Sequence, residues 1–110
     1  MAYDEELADR IRELLGAEPG LAEKKMFGGL AFLIAGNMAV AVSGQGGLLL
    51  RCEPRTAGAL CSKPGASPFV MRGRAVDGWV RVQQDAVTTK RQLERWVRRG
   101  LDHARSLPPK

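Results

Sequence analysis

The sequence predicts an α+β fold of two layers, in which helices pack against an antiparallel sheet of five strands. Amphipathic helical patterns occur near both ends of the 110-residue chain, and alternating apolar residues separated by glycine-rich turns lie between them. Short turns can connect neighbouring strands only in antiparallel order, and a chain of this length supports one core. We therefore predict a single domain over residues 1–110, in the order helix, three strands, helix, two strands, helix.

The first helix is predicted over residues 3–15. Leu7, Ile11 and Leu14 recur at i, i+4 and i+7, which is the spacing of one helix face. Acidic residues fill the first turn, where the helix dipole favours negative charge. Gly16 directly follows the apolar stripe and indicates the end of the helix.

Three strands with short connections are predicted next. They cover residues 26–34, 38–43 and 48–52. Within the second strand, the alternation places Met38, Val40 and Val42 on the side that faces the helices, and Ala39 and Ala41 on the other side. Three consecutive strands joined in this way predict an antiparallel meander.

The second half of the chain predicts a helix, a pair of strands and a final helix. A short helix over residues 54–63 begins with a proline at its first position. Two strands, 68–74 and 78–82, follow it. Thr89 and Gln92 then have the spacing of a capping box, which predicts the start of the last helix.

Residues 24–32, KKMFGGLAF, join two glycines to an apolar run. A phosphate-binding loop presents backbone N–H groups at the start of a helix and usually has a lysine after its glycines. In this sequence the lysines precede the glycines and a strand follows. We therefore interpret Gly28 and Gly29 as structural residues that allow a β-bulge or a close approach by another backbone, with the first helix as the expected neighbour.

Several segments, taken in order, resemble the amino-terminal domain of the TfoX/Sxy family. They are MAYDEELADRIRELL, KKMFGGLAFLIAGNMA, LLLRC, the Pro68-Phe69 pair and the last helix with Trp96. The strongest element of the resemblance is the motif formed by Met26, Phe27, Gly28 and Gly29. Together these segments extend over nearly the whole chain.

The resemblance implies a compact two-layer α+β fold and a regulatory role. The founding members are bacterial regulators of competence for DNA uptake, which act as co-activators with the cyclic-AMP receptor protein at particular promoters. They carry a second, carboxy-terminal helical domain, whereas this sequence ends at Lys110. The resemblance therefore implies a stand-alone amino-terminal domain that regulates transcription through protein contacts.

The last helix carries a basic face. Residues 90–110 contain seven basic and two acidic side chains, in a chain whose net charge is +5. Six basic residues lie in its first turn or opposite its apolar stripe: Lys90, Arg91, Arg95, Arg98, Arg99 and Arg105. A solvated surface accounts for such a face, although positive charge in a first turn opposes the helix dipole. The alternative is contact with an acidic partner, which for nucleic acid is salt-sensitive and largely independent of sequence.

A second candidate surface is the side of the sheet away from the helices. The alternation predicts that Phe69 and Met71 face the helices. It places six residues on the opposite side: Leu49, Arg51, Val70, Arg72, Trp79 and Arg81. A surface of this apolar and basic composition is rarely left bare. A protein partner or a second copy of the chain is the favoured occupant, and single-stranded nucleic acid stacked on Trp79 is the alternative.

No catalytic or metal-binding constellation is legible. His103 is the only histidine, and Cys52 and Cys61 are nine residues apart, which matches no zinc spacing. We expect thiol cysteines, no metal, no cofactor and no small-molecule substrate. An enzyme with an unrecognised site is the least favoured class.

The protein is expected to be cytoplasmic. Its acidic amino terminus lacks the basic and apolar regions of a secretory signal. Glycines interrupt the long uncharged stretch over residues 26–50 before it could span a membrane. The favoured function is therefore that of a small cytoplasmic regulatory protein that works through protein contacts, and the alternative is nucleic-acid binding by the basic face of the last helix.

Overall fold

The computed structural model describes residues 4–16, 18–26, 28–44 and 46–109. Three α-helices and six strands are present in this part of the chain. In chain order they are α1 (Glu5–Leu15), β1 (Leu21–Met26), β2 (Gly29–Ile34), β3 (Asn37–Val42), β4 (Leu48–Arg51), α2 (Pro54–Cys61), β5 (Ala66–Met71), β6 (Arg74–Val82) and α3 (Lys90–Ser106). No helix in the described ranges is long and apolar enough to cross a membrane.

The six strands form one antiparallel sheet in the order β1-β2-β3-β4-β6-β5. The predicted α+β class with an antiparallel sheet is confirmed, but the predicted count of five strands is wrong. A turn divides the predicted first strand, because β1 ends at Met26 and this residue pairs with Gly29 at the start of β2. The pattern of alternation missed β1 because its sequence LAEKKM is half charged and exposed, as is usual for an edge strand. The observed order is helix, four strands, helix, two strands, helix.

The two glycines of this turn meet different requirements. Gly28 has a φ of +72°, a conformation that residues with a side chain rarely adopt. Gly29 lies so close to the carbonyl oxygen of Val42 in β3 that an added Cβ would overlap it. Gly29 is therefore approached by another backbone, but that backbone is β3, and the expectation that it is the first helix is wrong. Phe27 of the same motif lies outside the described residues.

All three described helices pack against one side of the sheet, which we call the covered face. The sheet contributes Leu30, Phe32, Val40, Val42, Leu48, Leu50, Val80 and Val82 to the core on this face. The long helices contribute Leu7, Ala8, Ile11, Leu15, Leu93, Trp96 and Val97. Ala57 and Leu60 of α2 pack at the edge of this core.

Local hydrogen bonds fix where the two long helices begin. Asp4 Oδ1 accepts a hydrogen bond of 3.2 Å from the backbone N–H of Leu7, so α1 begins at Glu5, two residues after its predicted start. At α3 the predicted capping box is present. Thr89 Oγ1 accepts from the Gln92 N–H and Gln92 Oε1 accepts from the Thr89 N–H, each at 3.1 Å.

A β-bulge in β3 changes which side chains face the helices. The pairing register with β2 shifts between Phe32 and Leu33, which leaves Ala39 as an additional residue in β3. Ala39 consequently packs with the end of α3, and Met38 packs on the far side of the sheet. The prediction had these two residues reversed. The carbonyl of Ala39 lies directly under Gly100 of α3, where an added Cβ would overlap it.

The pairing of β5 with β6 contains a second irregularity, between Pro68 and Val70. Phe69 packs against Trp79 on the side away from the helices, with ring centroids 5.9 Å apart. The prediction that Phe69 faces the helices is wrong, because Ser67 pairs with Arg81 on the side away from the helices and Phe69, two residues later, lies on that same side. The side chain of Met71, for which the same orientation was predicted, lies outside the described part of the structure.

Candidate functional site

The side of the sheet away from the helices, which we call the open face, carries its own apolar cluster. Its members are Ala31, Leu33, Met38, Ala41, Leu49, Phe69 and Trp79. The three described helices all contribute to the core of the covered face, and none of them contributes to this cluster. An apolar sheet surface that none of the described α-helices covers is the leading candidate for a binding site in this fold.

The centre and the border of this cluster differ in exposure. Ala31, Ala41 and Leu49 are at most 2% exposed, because larger side chains surround them. Leu33 and Trp79 are only half-buried at the border. A partner would therefore contact the border residues, whereas Leu49, one of the predicted interface residues, lies too deep to be touched.

Basic side chains accompany the cluster on three strands. Residues that pair directly across an antiparallel ladder project to the same side, and the register pairs Lys24 with Ala31, Arg51 with Trp79 and Arg81 with Leu49. Lys24 is exposed, and Arg51 and Arg81 are half-buried. The open face is thus apolar at its centre and basic at several points around it.

One of these basic residues also has a structural role. The guanidinium of Arg81 donates hydrogen bonds of 3.2 Å to Ser43 Oγ and to the carbonyl oxygen of Gly46. These contacts connect β6 to the turn between β3 and β4. Arg81, although predicted as an interface residue, is therefore held by its own chain.

The remaining two predicted interface residues lie at the β5–β6 hairpin. Val70 is 58% exposed on the edge strand β5. Arg72 does not lie in a strand as predicted, because β5 ends one residue earlier and Arg72 occupies the turn to β6 with a φ of +54°. A left-handed conformation at a residue with a side chain costs roughly 1–2 kcal/mol. Of these two residues, only Val70 offers apolar surface beside the open face.

The basic residues of α3 divide into two groups. Four of them are exposed and make no ion pair with any described residue; we call them the basic patch, and they are Lys90, Arg91, Arg95 and Arg98. Arg99 lies over the ring of Trp96, 4.9 Å from its centroid, which is a cation–π contact. Arg105 pairs with Glu18, with its Nε 3.1 Å from Glu18 Oε2. The predicted basic face is therefore concentrated in the amino-terminal half of α3.

Acidic residues interrupt the basic surface toward the end of α3. A groove of about 230 Å³ between α1 and α3 is lined by both signs of charge, including Glu94, Asp102 and Arg98. Mixed charges of this kind weaken the local potential that would attract a polyanion. The groove therefore does not extend the basic patch.

A groove between α2 and α3 brings together residues that the sequence did not associate. It has a volume of about 400 Å³, and its lining includes Cys52, Thr56, Arg99, Asp102 and His103. Only the packing of α2 and α3 on the covered face places these residues side by side, so no spacing in the sequence could have indicated the group. The size is that of a small-molecule pocket, although the groove is widely open.

Burial shifts the pKa of two groups in this groove. Burial raises the pKa of the Cys52 thiol, which opposes formation of the reactive thiolate. Burial, together with the nearby charge of Arg51, lowers the pKa of His103. Within the described residues no group of three or more His, Cys, Asp or Glu side chains could hold a metal ion.

Comparison with known families decides the identity of the fold. The sequence profile of the TfoX N-terminal domain matches residues 13–104. The chain belongs to this family. The matched region runs from the last turn of α1 into the last turns of α3 and includes the whole sheet. No curated protein sequence matches the chain.

The predicted resemblance to the TfoX N-terminal domain is thereby confirmed. In this TfoX N-terminal domain, the glycines that carry the resemblance occupy the β1–β2 turn. The open face and the basic patch both lie within the matched region. Both surfaces are therefore formed by residues of the matched domain.

Proposed function

We propose that this TfoX N-terminal domain is a small regulatory protein that binds a protein partner through the open face. The observation that carries the proposal is the unequal covering of the sheet. The three described helices pack on one side, while Leu33, Phe69 and Trp79 stay half-exposed on the other. Apolar surfaces of this kind commonly mark interaction sites.

The proposal includes a non-catalytic role in the cytoplasm, as a transcriptional co-regulator that acts through protein contacts. The role in transcription rests on the founding members of the family. The raised pKa of Cys52 and the lowered pKa of His103 support a binding role over nucleophilic catalysis, because an active-site thiol and its base need the opposite shifts.

Site-specific photo-cross-linking in bacterial cells tests the open-face interface. A photoreactive phenylalanine analogue replaces Leu33 on the open face, and in the control chain it replaces Ala59, which is exposed on α2 and belongs to neither candidate surface. We expect discrete cross-linked protein adducts from position 33 and not from position 59. Adding Trp79→Glu should remove the adducts, because a charge in the cluster opposes apolar contact.

Two results would count against this interface. One is equal labelling from positions 33 and 59. The other is persistence of the adducts in the Trp79→Glu chain while its thermal unfolding matches that of the wild type. The second condition matters because Trp79 also packs against Phe69 within the chain.

A second candidate function is nucleic-acid binding by the basic patch. Lys90 and Arg91 place positive charge in the first turn of α3 without an ion-pair partner among the described residues. The helix dipole opposes this arrangement, so a contact outside the chain is a reasonable explanation for it.

Fluorescence anisotropy with random duplex and single-stranded DNA at two salt concentrations tests this alternative. The triple variant Arg91→Glu, Arg95→Glu, Arg98→Glu should abolish salt-sensitive binding. The matched control changes three exposed arginines elsewhere, namely Arg55, Arg72 and Arg74, to glutamate. Equal loss of DNA binding in both variants would show that only the net charge matters. Unchanged DNA binding in the first variant would exclude the basic patch as the binding site.

A further inference from the structure

We infer that the partner of the open face presents an acidic amphipathic helix. This inference rests on the proposed function, since it names the chemistry of the partner that the open face would bind. It follows from the charges around the apolar cluster, from the contacts that already engage its aromatic and basic groups, and from the way the opposite face of the same sheet is covered.

The charge on the open face has one sign among the side chains that the structure describes. Lys24 and Arg81 accompany the cluster on β1 and β6. Arg51 begins on the same side of β4, but its charge also acts on His103 in the groove between α2 and α3. Glu23, the acidic neighbour of Lys24, projects to the other side and accepts hydrogen bonds of 2.8 Å from Arg12 of α1. A partner with carboxylates around an apolar stripe would complement this arrangement.

A second copy of the chain fits the open face poorly. Two open faces placed together would oppose lysine and arginine with lysine and arginine around an apolar centre. Like charges brought together at an interface cost several kcal/mol. The charge pattern therefore favours a different, acidic chain over self-association.

Single-stranded nucleic acid also fits less well than a protein. Base stacking needs an accessible aromatic face, but the ring of Trp79 is tilted at 44° against Phe69. Most of the cluster is aliphatic, and the guanidinium of Arg81 already contacts Ser43 and Gly46. An aliphatic surface packs well against leucine-type side chains, but it offers no aromatic ring on which a nucleic-acid base could stack.

The covered face shows how a helix of this type packs on the same sheet. α1 has an apolar side buried in the core and acidic residues on its exposed side, among them Glu5, Glu6 and Asp9. It is held at the sheet edge by the pairing of Arg12 with Glu23. A partner helix with an apolar stripe and acidic flanks would give the open face a layer that the described helices do not supply.

Binding of designed peptides to the full chain tests the inference. Three synthetic helical peptides share one apolar stripe and carry glutamate, glutamine or lysine on the flanks. We expect the glutamate peptide to bind at least about five-fold more tightly than the glutamine peptide. We also expect this advantage to shrink at high salt and Trp79 emission to shift to the blue as its ring is covered.

Adjacent lysines supply the matched charge control. Lys24→Glu should weaken the preference for the glutamate peptide, because Lys24 pairs with Ala31 of the open face. Lys25→Glu should preserve it, because Lys25 pairs with Leu30 and projects to the opposite side of the sheet. If Lys25→Glu removed the preference for the glutamate peptide and the open-face variant kept it, the peptide would not bind at the open face.

The remaining outcomes separate this inference from the proposed function. Equal, Trp79-dependent binding of the glutamate and glutamine peptides would overturn the acidic partner and keep the interface. Self-association in sedimentation analysis that is lost in Trp79→Glu would replace the acidic helix with a second copy. Binding of single-stranded DNA that depends on Trp79 would overturn the inference and the protein interface together.

Discussion

The two faces of the sheet differ in what covers them: the described α-helices pack on one face and not on the other. On the covered face, Phe32, Leu50 and Val80 are fully buried beneath helices. On the open face, small side chains such as Ala31 and Ala41 are buried only because larger neighbours surround them. Strands with apolar residues on both sides normally lie between two layers. The strands are therefore apolar on both sides, as in a three-layer structure, but the described α-helices form a layer on only one side.

The difference between the faces should be largest in the effect of side-chain truncation. Phe32 and Leu33 are neighbours on β2 that project to the covered and open faces respectively. We expect Phe32→Ala to lower the free energy of unfolding by about 3–5 kcal/mol, because it leaves a cavity in the core. Leu33→Ala should lower it by only about 1 kcal/mol, since this side chain is already partly in water.

Urea unfolding followed by circular dichroism measures both values. Similar losses for the two variants would mean that the open face contributes to the folded core as much as the covered face does. That result would contradict the distinction between the covered face and the open face.

The contact of α3 with the covered face should be sensitive to a single methyl group. An added Cβ at Gly100 would lie 2.7 Å from Leu50 Cδ1 and 2.8 Å from Val40 Cγ1, in addition to the Ala39 carbonyl. Overpacking of this kind typically destabilises by about 1–3 kcal/mol. We expect Gly100→Ala to lose stability in this range although alanine favours helices.

Gly58 of α2 is the matched control for this prediction. It is exposed, and an added Cβ there would meet nothing within 4 Å. Gly58→Ala should therefore stabilise the chain by up to about 1 kcal/mol through helix propensity alone. Thermal unfolding of the two variants distinguishes the opposite signs, and equal behaviour would show that Gly100 is not in close contact with the sheet.

The smallest expected effect concerns the ion pair that joins α1 to the sheet edge. Arg12 lowers the pKa of the Glu23 carboxyl by hydrogen bonding to it. A lowered folded-state pKa stabilises the fold above the ordinary glutamate pKa, and this contribution disappears as the pH falls through the folded-state value. Both side chains are more than one third exposed, so the effect should be at most about 1 kcal/mol.

Unfolding of Glu23→Gln between neutral and acidic pH measures this contribution. The variant should be slightly less stable than the wild type at pH 7 and equal to it in strong acid. Lys24→Gln, the neighbouring change on the open face, should show no such convergence, because Lys24 has no ion-pair partner among the described residues. A constant difference between Glu23→Gln and the wild type at every pH would contradict the role of the carboxylate.

Features that depend on neighbouring residues in the sequence could be predicted. The capping box at Thr89 and the apolar stripe of α3 are local patterns, and both are present. The edge strand β1 was missed because its residues are mostly exposed and alternate little. The predicted side of Met38 was wrong because the register shift depends on pairing with β2, which the pattern of one strand does not contain. The predicted side of Phe69 was wrong because alternation within β5 does not reveal which of its two sides faces the helices.

The sequence predicts which residues make up the candidate surfaces, but it does not show which of those residues are accessible to a partner. The basic side of α3 is visible in the sequence. The pairing of Arg105 with Glu18 joins residues 87 positions apart, so the sequence alone could not remove Arg105 from the set. The burial of Leu49 likewise follows from side chains on four other strands. Which members of a surface can meet a partner is therefore a property of the tertiary structure.

The bulge at Ala39 and the glycine at position 100 depend on each other, because the bulge brings the Ala39 carbonyl against α3 at the point where Gly100 has no side chain. Deleting Ala39 would restore the regular ladder and withdraw the carbonyl that crowds Gly100. The deletion should therefore relieve the harm done by Gly100→Ala, which is the behaviour geneticists call second-site suppression. In a set of aligned relatives, a one-residue gap at position 39 and a side chain at position 100 should accordingly be inherited together.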